Sequence, residues 1–239
     1  MKISEMINSH LNLQNGDSIL FLVRHAEKCS SNGLSTSSEV AITSEGIERT
    51  KQLGDYLSLQ IGKDFTIKTS PIKRCFETAK IFAQRFSKEE SLILQSKILG
   101  DPGPYVIDRK VAAEAFEKEN DNIYIIIQSH IREHIIPGFR DIRDGTALML
   151  KEMIADLSHT KSTMYVSHDA IIAVFLGNFI EDIQFSEENK IEFLDGIAIK
   201  KTIFNNYFLY WNGQCFDITN RCEQYVENKV ASCKLSLGL

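Results

Sequence analysis

The apolar positions of this chain gather into short unbroken runs that stop abruptly at polar residues. The sharpest is Ile19-Leu20-Phe21-Leu22-Val23, set between Ser18 and the pair Arg24-His25. A run of this length, rich in branched and aromatic side chains, predicts a strand buried on both faces of a sheet. Phe65 to Thr69 alternates as a strand, and Thr163 to Ser167 reads as another. Leu92-Ile93-Leu94 with Ile98-Leu99 suggests a short strand, and Ile123-Tyr124-Ile125-Ile126-Ile127 a buried one. Toward the end, Gly196 to Ile203, Asn206 to Trp211 and Gln214 to Ile218 are three more. Asn212-Gly213 joins the last two as a hairpin turn.

Helices are expected between these runs. One starts at Thr43-Ser44-Glu45-Gly46, with a hydroxyl cap and a first-turn carboxylate, and carries Ile47, Leu53, Leu57 and Ile61 inward. A second starts at Ser70-Pro71, with serine as cap and proline at the first helical position. Asp108 to Asn120 and Thr146 to Ser158 read as helices, and His168-Asp169 opens another through Phe179. The serine-rich stretch after Lys28, the rigid Gly100-Asp101-Pro102-Gly103-Pro104 segment and residues 129 to 145 read as loops. Strand and helix alternate from residue 18 to about 180. This predicts a three-layer α/β/α fold with a mainly parallel central sheet and an antiparallel C-terminal hairpin. A single domain over 1–239 is expected, with a lid or insertion at about 100–145.

Composition narrows the function classes. The 239 residues are 43% hydrophobic and 25% charged, ordinary for a globular protein with ample core. A net charge of −5 and a pI near 5.7 argue against a nucleic-acid surface. Five cysteines without CxxC pairing suit a reducing compartment and neither a disulfide framework nor a zinc site. The first seventeen residues lack the apolar core of a secretory signal, and Ala170 to Ile180 is too short to span a bilayer. A cytoplasmic protein without a membrane partner is expected. Oligomeric state is not specified.

Four polar elements fall where strands end or helices begin: Arg24-His25, Ser70 with Arg74, Asp101, and His168-Asp169. In open α/β sheets ligands bind beyond the carboxyl ends of the strands. Two guanidiniums suit a phosphate dianion, and helix N-terminal amides add to them. A neutral imidazole can attack phosphorus while a carboxylic acid protonates the leaving oxygen. The nearby arginines favour neutral His25. No metal-ligand spacing is present, and no cofactor is required. Cys75 lacks the arginine six residues on that a cysteine phosphatase needs, and is read as a buried apolar residue.

Arg24-His25-Ala26-Glu27, Thr43-x-x-Gly46, Ser70-Pro71-x-x-Arg74-x-x-x-Thr78-Ala79 and Val166-Ser167-His168-Asp169 resemble four ordered landmarks of the histidine phosphatase superfamily, the phosphoglycerate mutase-like fold. They span residues 18 to about 180. The resemblance implies that His25 is a nucleophile forming phosphohistidine, and that Arg24, Arg74 and His168 bind the transferring group. Ala26 stands where many members have glycine.

For the acid, Asp169 matches the acid phosphatase and phytase branch, in which an aspartate follows the second histidine. Asp101, 27 residues beyond Arg74, matches the loop carboxylate of the mutase-like branch. Asp169 is the preferred candidate. His130 also follows a serine and an apolar run, but His168 alone is followed by a carboxylate and an apolar helix. His130, Arg132 and His134 belong to a solvated loop or line a substrate entrance.

The implied activity is phosphatase action on a small-molecule or peptide phosphate monoester. A phosphomutase and a non-catalytic phospho-ligand module are the alternatives.

Overall fold

The computed structural model describes residues 3–9, 11–29, 38–120, 122–133 and 135–224, so His10, His134 and Cys233 lie outside the described residues. Its frame is a seven-stranded sheet. The strands are β1 (Ser18–Arg24), β2 (Phe65–Thr69), β3 (Leu94–Gln95), β4 (Ser162–Ser167), β5 (Gly196–Lys201), β6 (Tyr207–Trp211) and β7 (Gln214–Asp217). Their spatial order is β3-β2-β4-β1-β5-β6-β7. β3, β2, β4 and β1 run parallel, whereas β5, β6 and β7 are antiparallel.

β1 shows why an unbroken apolar run suits the centre of such a sheet. Ile19, Phe21 and Val23 enter one core, and Leu20 and Leu22 enter the other. The first core is closed by α1 (Ile3–Ser9), α2 (Ser44–Gln60) and α3 (Lys73–Arg85). The second is closed by α5 (Ile123–Glu133), α6 (Ile142–His159) and α7 (Asp169–Gly177). A smaller cluster of Ala112, Ile126, Ile136 and Phe139 joins α5 to α4 (Arg109–Lys118) within the 100–145 segment.

Several elements differ from the sequence reading. Residues 123–127 are the first turns of α5 and not a strand. Asn122 Oδ1 accepts from the amide of Tyr124 and starts the helix, and no breaker follows before Pro137-Gly138. Tyr124, Ile126, Ile127 and His130 are buried while Ile125 is exposed, which is a helical burial pattern. A continuous apolar run does not distinguish a buried strand from a buried helix. His130 therefore follows no strand.

The predicted strand over Leu92–Leu99 shrinks to β3, flanked by 3₁₀ turns. Helix α3 begins at Lys73 and not at Pro71. Ser70 Oγ accepts from the amide of Ile72, which closes a turn ahead of the helix.

The junction of β1 and β5 tolerates no side chain at Gly196. A Cβ there would lie 2.0 Å from the carbonyl oxygen of Leu22, a backbone atom in the middle of the sheet. Gly196→Ala should destabilise the fold by about 1–3 kcal/mol, the usual cost of overpacking. A urea midpoint lowered at constant slope would register it, whereas an unchanged midpoint would mean that β5 yields freely.

Candidate active site

β2, β4 and β1 are adjacent and parallel, so their carboxyl ends share one edge of the sheet. The residue after each is Ser70, His168 and His25. Backbone hydrogen bonds continue the ladder past the strands: the His25 amide donates to Ser167 O (2.9 Å) and the Ser70 amide to Val166 O (3.0 Å). His25 and Ser70 are thus registered by the sheet itself, and His168 directly follows the Ser167 carbonyl that the His25 amide holds. Arg74 reaches them from the first turn of α3.

The four central side chains meet. Arg74 Nε donates to His25 Nε2 at 3.0 Å, and Arg74 Nη2 lies 3.3 Å from His168 Nδ1. The two imidazoles stand edge to face, with centroids 5.4 Å apart. On the far side of His25, Nδ1 lies 2.7 Å from the carbonyl oxygen of Ala26. A carbonyl only accepts, so Nδ1 carries the proton and the lone pair of Nε2 faces Arg74. By the same reasoning His168 Nδ1 accepts from the guanidinium, and Nε2–H donates to Ser70 Oγ at 3.1 Å.

Arg24 is held from three directions. Nη1 donates to the carbonyl of Ile191 at 2.5 Å, Nη2 pairs with Asp169 Oδ2 at 2.9 Å, and the guanidinium lies 4.1 Å from the ring centroid of Phe193. The other oxygen of Asp169 accepts the Ala170 amide at 2.9 Å. Asp101 sits at the edge of the same cavity, where it pairs with Arg109 of α4 at 2.7 Å, with Arg109 exposed and Asp101 partly so. The sequence-predicted set therefore gathers around one cavity of about 740 Å³, with Asp101 at its rim.

The remaining landmarks are braces. Thr78 Oγ1 accepts from the Ala26 amide (3.0 Å) and donates to Arg74 O (2.7 Å), tying the turn after His25 to α3. Thr43 caps α2 at Gly46 and donates to the Glu27 carboxylate at 2.8 Å. Gly46 packs against Glu27, where a Cβ would lie 2.8 Å from its carbonyl oxygen.

Phe193 and Lys28 also line the cavity, and the sequence reading missed both. Phe193 lies in an irregular segment with no periodic signal, and Lys28 directly follows the Arg24–Glu27 landmark without being part of it. Arg132 is exposed on α5, whereas His130 is buried and its Nε2 lies 2.7 Å from Arg140 O.

Burial first, then His168 and the two guanidiniums, push the His25 pKa well below its ordinary value, while the Ala26 carbonyl opposes them. His168 falls to about 3 through burial, then Arg74, Arg24 and Lys28. Both rings are neutral near pH 7. Cys75 is fully buried, and burial drives its thiol up to about 12, so no thiolate is available. Among the described residues no cluster of His, Cys, Asp or Glu could hold a metal, and no helix is long and apolar enough to cross a membrane.

A sequence model of the histidine phosphatase superfamily (branch 1) matches residues 20–206, most of the chain. The chain belongs to that superfamily. Its members are phosphatases or mutases, and their shared core is the sheet described above.

A phosphoglycerate mutase from Bacillus anthracis str. Sterne is similar in structure, at 14% identity and a TM-score of 0.53 over 87% of this chain and 96% of that one. The protein titled mycobacterial hydrolase 1 gives 11% identity and a TM-score of 0.53 over 82% and 98%. A mycobacterial glucosyl-3-phosphoglycerate phosphatase gives 12% and 0.50 over 83% and 93%. At these identities the likeness is one of fold. No relative was found among curated proteins by sequence.

The depressed histidine carries a sign for stability. The unfolded chain takes up a proton on residue 168 as the pH falls through 6.5, but the folded chain resists until about 3. The unfolded state binds more protons across that window, so stability is full above pH 6.5 and falls toward pH 3. His168→Asn should flatten the fall, visible as a smaller difference between urea midpoints at about pH 7.5 and about pH 5. An equal difference in both proteins would deny the burial effect.

Proposed function

We propose that this protein is a phosphatase that hydrolyses phosphate monoesters through phosphohistidine on His25. The observation that supports it most is the Nδ1–H bond from His25 to the Ala26 carbonyl, which leaves the Nε2 lone pair facing Arg74. A dianionic phosphoryl group lies between Arg24, Arg74 and His168. Nε2 attacks phosphorus, the bond to the ester oxygen breaks, and that oxygen leaves with a proton from a carboxylic acid. Water then attacks the phosphohistidine, the same carboxylate takes its proton, and free imidazole and orthophosphate result. Developing charge on the equatorial oxygens meets donors already in place.

We assign the leaving-group proton to Asp101 and the positioning of Arg24 to Asp169, reversing the order that the sequence by itself favours. Both oxygens of Asp169 already accept donors, which suits a carboxylate with a structural duty. Asp101 meets an arginine of the 100–145 segment at the exposed rim, in higher dielectric, where exchange for substrate costs little. The free thiols at Cys29, Cys75, Cys215 and Cys222 support a reducing compartment, and we place the protein in the cytoplasm. No step in this scheme calls for a metal.

His25→Ala should abolish acid-labile phosphoprotein and lower turnover by roughly 10³-fold or more. Full turnover in that variant would remove His25 from the reaction. Asp101→Asn should lower hydrolysis of alkyl phosphates by about 10²–10⁴-fold and that of p-nitrophenyl phosphate far less, because a good leaving group needs no proton. If Asp169→Asn shows that split instead, the acid is Asp169. Recovery of isomerised phosphoglycerate in place of orthophosphate would mark a mutase.

A further inference from the structure

The cavity that begins at His25 and Arg74 does not end with the space a phosphate needs. About 740 Å³ lies in the range of sites that enclose a whole drug-sized ligand. Beyond the cationic end its wall changes character. Tyr105, Phe116, Ile127 and Phe139 come from the 100–145 segment, and Ile171 and Val174 from the face of α7 that leads away from Asp169. Tyr105, Ile127 and Phe139 are almost fully buried, so this wall reaches into the packing between the segment and the main core. Two of its polar side chains are already engaged: Tyr105 Oη lies 3.1 Å from Thr146 Oγ1, and His130 Nε2 donates to the carbonyl of Arg140. A further lining hydroxyl, that of Tyr124, lies within electrostatic reach of Asp169 and Arg24, toward the cationic end. Of the charged lining residues outside the phosphate end, Glu187 and Glu192 are exposed, and the half-buried Lys190 pairs with Glu187.

From this division we infer that the alcohol half of the substrate is apolar: an alkyl, isoprenoid-like or aryl group without hydroxyls of its own. The inference rests on the phosphatase reading for the phosphate end and adds the class of leaving group. A sugar or glycerate placed against this wall would lose water from its hydroxyls and find few partners in return, a cost of burial without compensation. An apolar tail loses only unfavourable hydration. Each methylene that enters the cavity should tighten binding about fourfold. The phosphate anchors the ester at the strand ends, and the segment sorts substrates by the length and polarity of what the phosphate carries.

The test uses the full chain and a series of n-alkylphosphonates from methyl to octyl, which keep the anion but cannot be hydrolysed, titrated by calorimetry. Affinity should rise about fourfold per methylene until the cavity is filled, and inorganic phosphate should compete with octylphosphonate. Phe116→Gln and Ile123→Gln, at half-buried lining positions, should each shrink the octyl-to-methyl affinity ratio about tenfold. An affinity independent of chain length, or a rise that inorganic phosphate does not displace, would overturn the inference. So would tighter binding of 3-phosphoglycerate or glucose 6-phosphate than of octylphosphonate. Turnover of p-nitrophenyl phosphate is measured beside it. Its absence, together with chain-length-dependent binding, would sink the phosphatase reading and leave the apolar subsite standing.

Discussion

The structure depends on keeping two guanidiniums and two imidazoles out of water at one end of a sheet. Burial of charge is costly, and like charges in one cavity repel. Three features offset this cost. Asp169 and the Ile191 carbonyl engage the two Nη atoms of Arg24, and Phe193 covers its face. Arg74 spends its donors on two imidazole nitrogens. The imidazoles themselves stay neutral, because burial and the neighbouring cations disfavour a further proton. What results is a cationic end whose guanidiniums are held in place before any anion arrives, the kind of fixed positive field that favours phosphoryl transfer.

The sheet makes that arrangement affordable. Arg24 and the residues that follow β1, β2 and β4 are carried by ladder hydrogen bonds, including Arg24 N to Asp195 O at 2.8 Å. Their Cα positions follow from strand pairing, so little conformational entropy remains to be lost in assembling the site. Close approach tightens it further. A Cβ on Gly100 would fall 2.6 Å from His168 Nε2 and 2.4 Å from Ser70 Oγ, so only glycine lets the loop before Asp101 close over the second imidazole. Thr78 and Thr43 hold the chain after His25 from the two neighbouring helices.

The cavity has two characters because two parts of the chain build it. The strand ends contribute charge, and the 100–145 segment contributes an apolar wall over a cluster of its own. On the function proposed above, the first part would serve the reaction and the second what is presented to it.

Strong local signals were legible in the sequence. The five apolar residues before Arg24 form the central strand, Thr43 caps α2, Asn212-Gly213 turns the last hairpin, and the order of the polar landmarks matches the order of the strands that carry them. The same reading took 123–127 for a strand, because an apolar residue at the exposed position, Ile125, erases the periodicity that separates helix from strand. It also gave Ser70 a helix cap, where the hydroxyl instead closes a turn and meets His168.

Residue identity and spacing alone determined the alternating fold and the chemical types available at the strand ends. The tertiary structure decided which nitrogen of His25 carries the proton, which aspartate is already engaged by Arg24, and which residues line the cavity beyond the strand ends. Each of those depends on contacts between residues far apart in the chain, such as Arg24 with Ile191 and Arg74 with His168, and no local pattern encodes such distances.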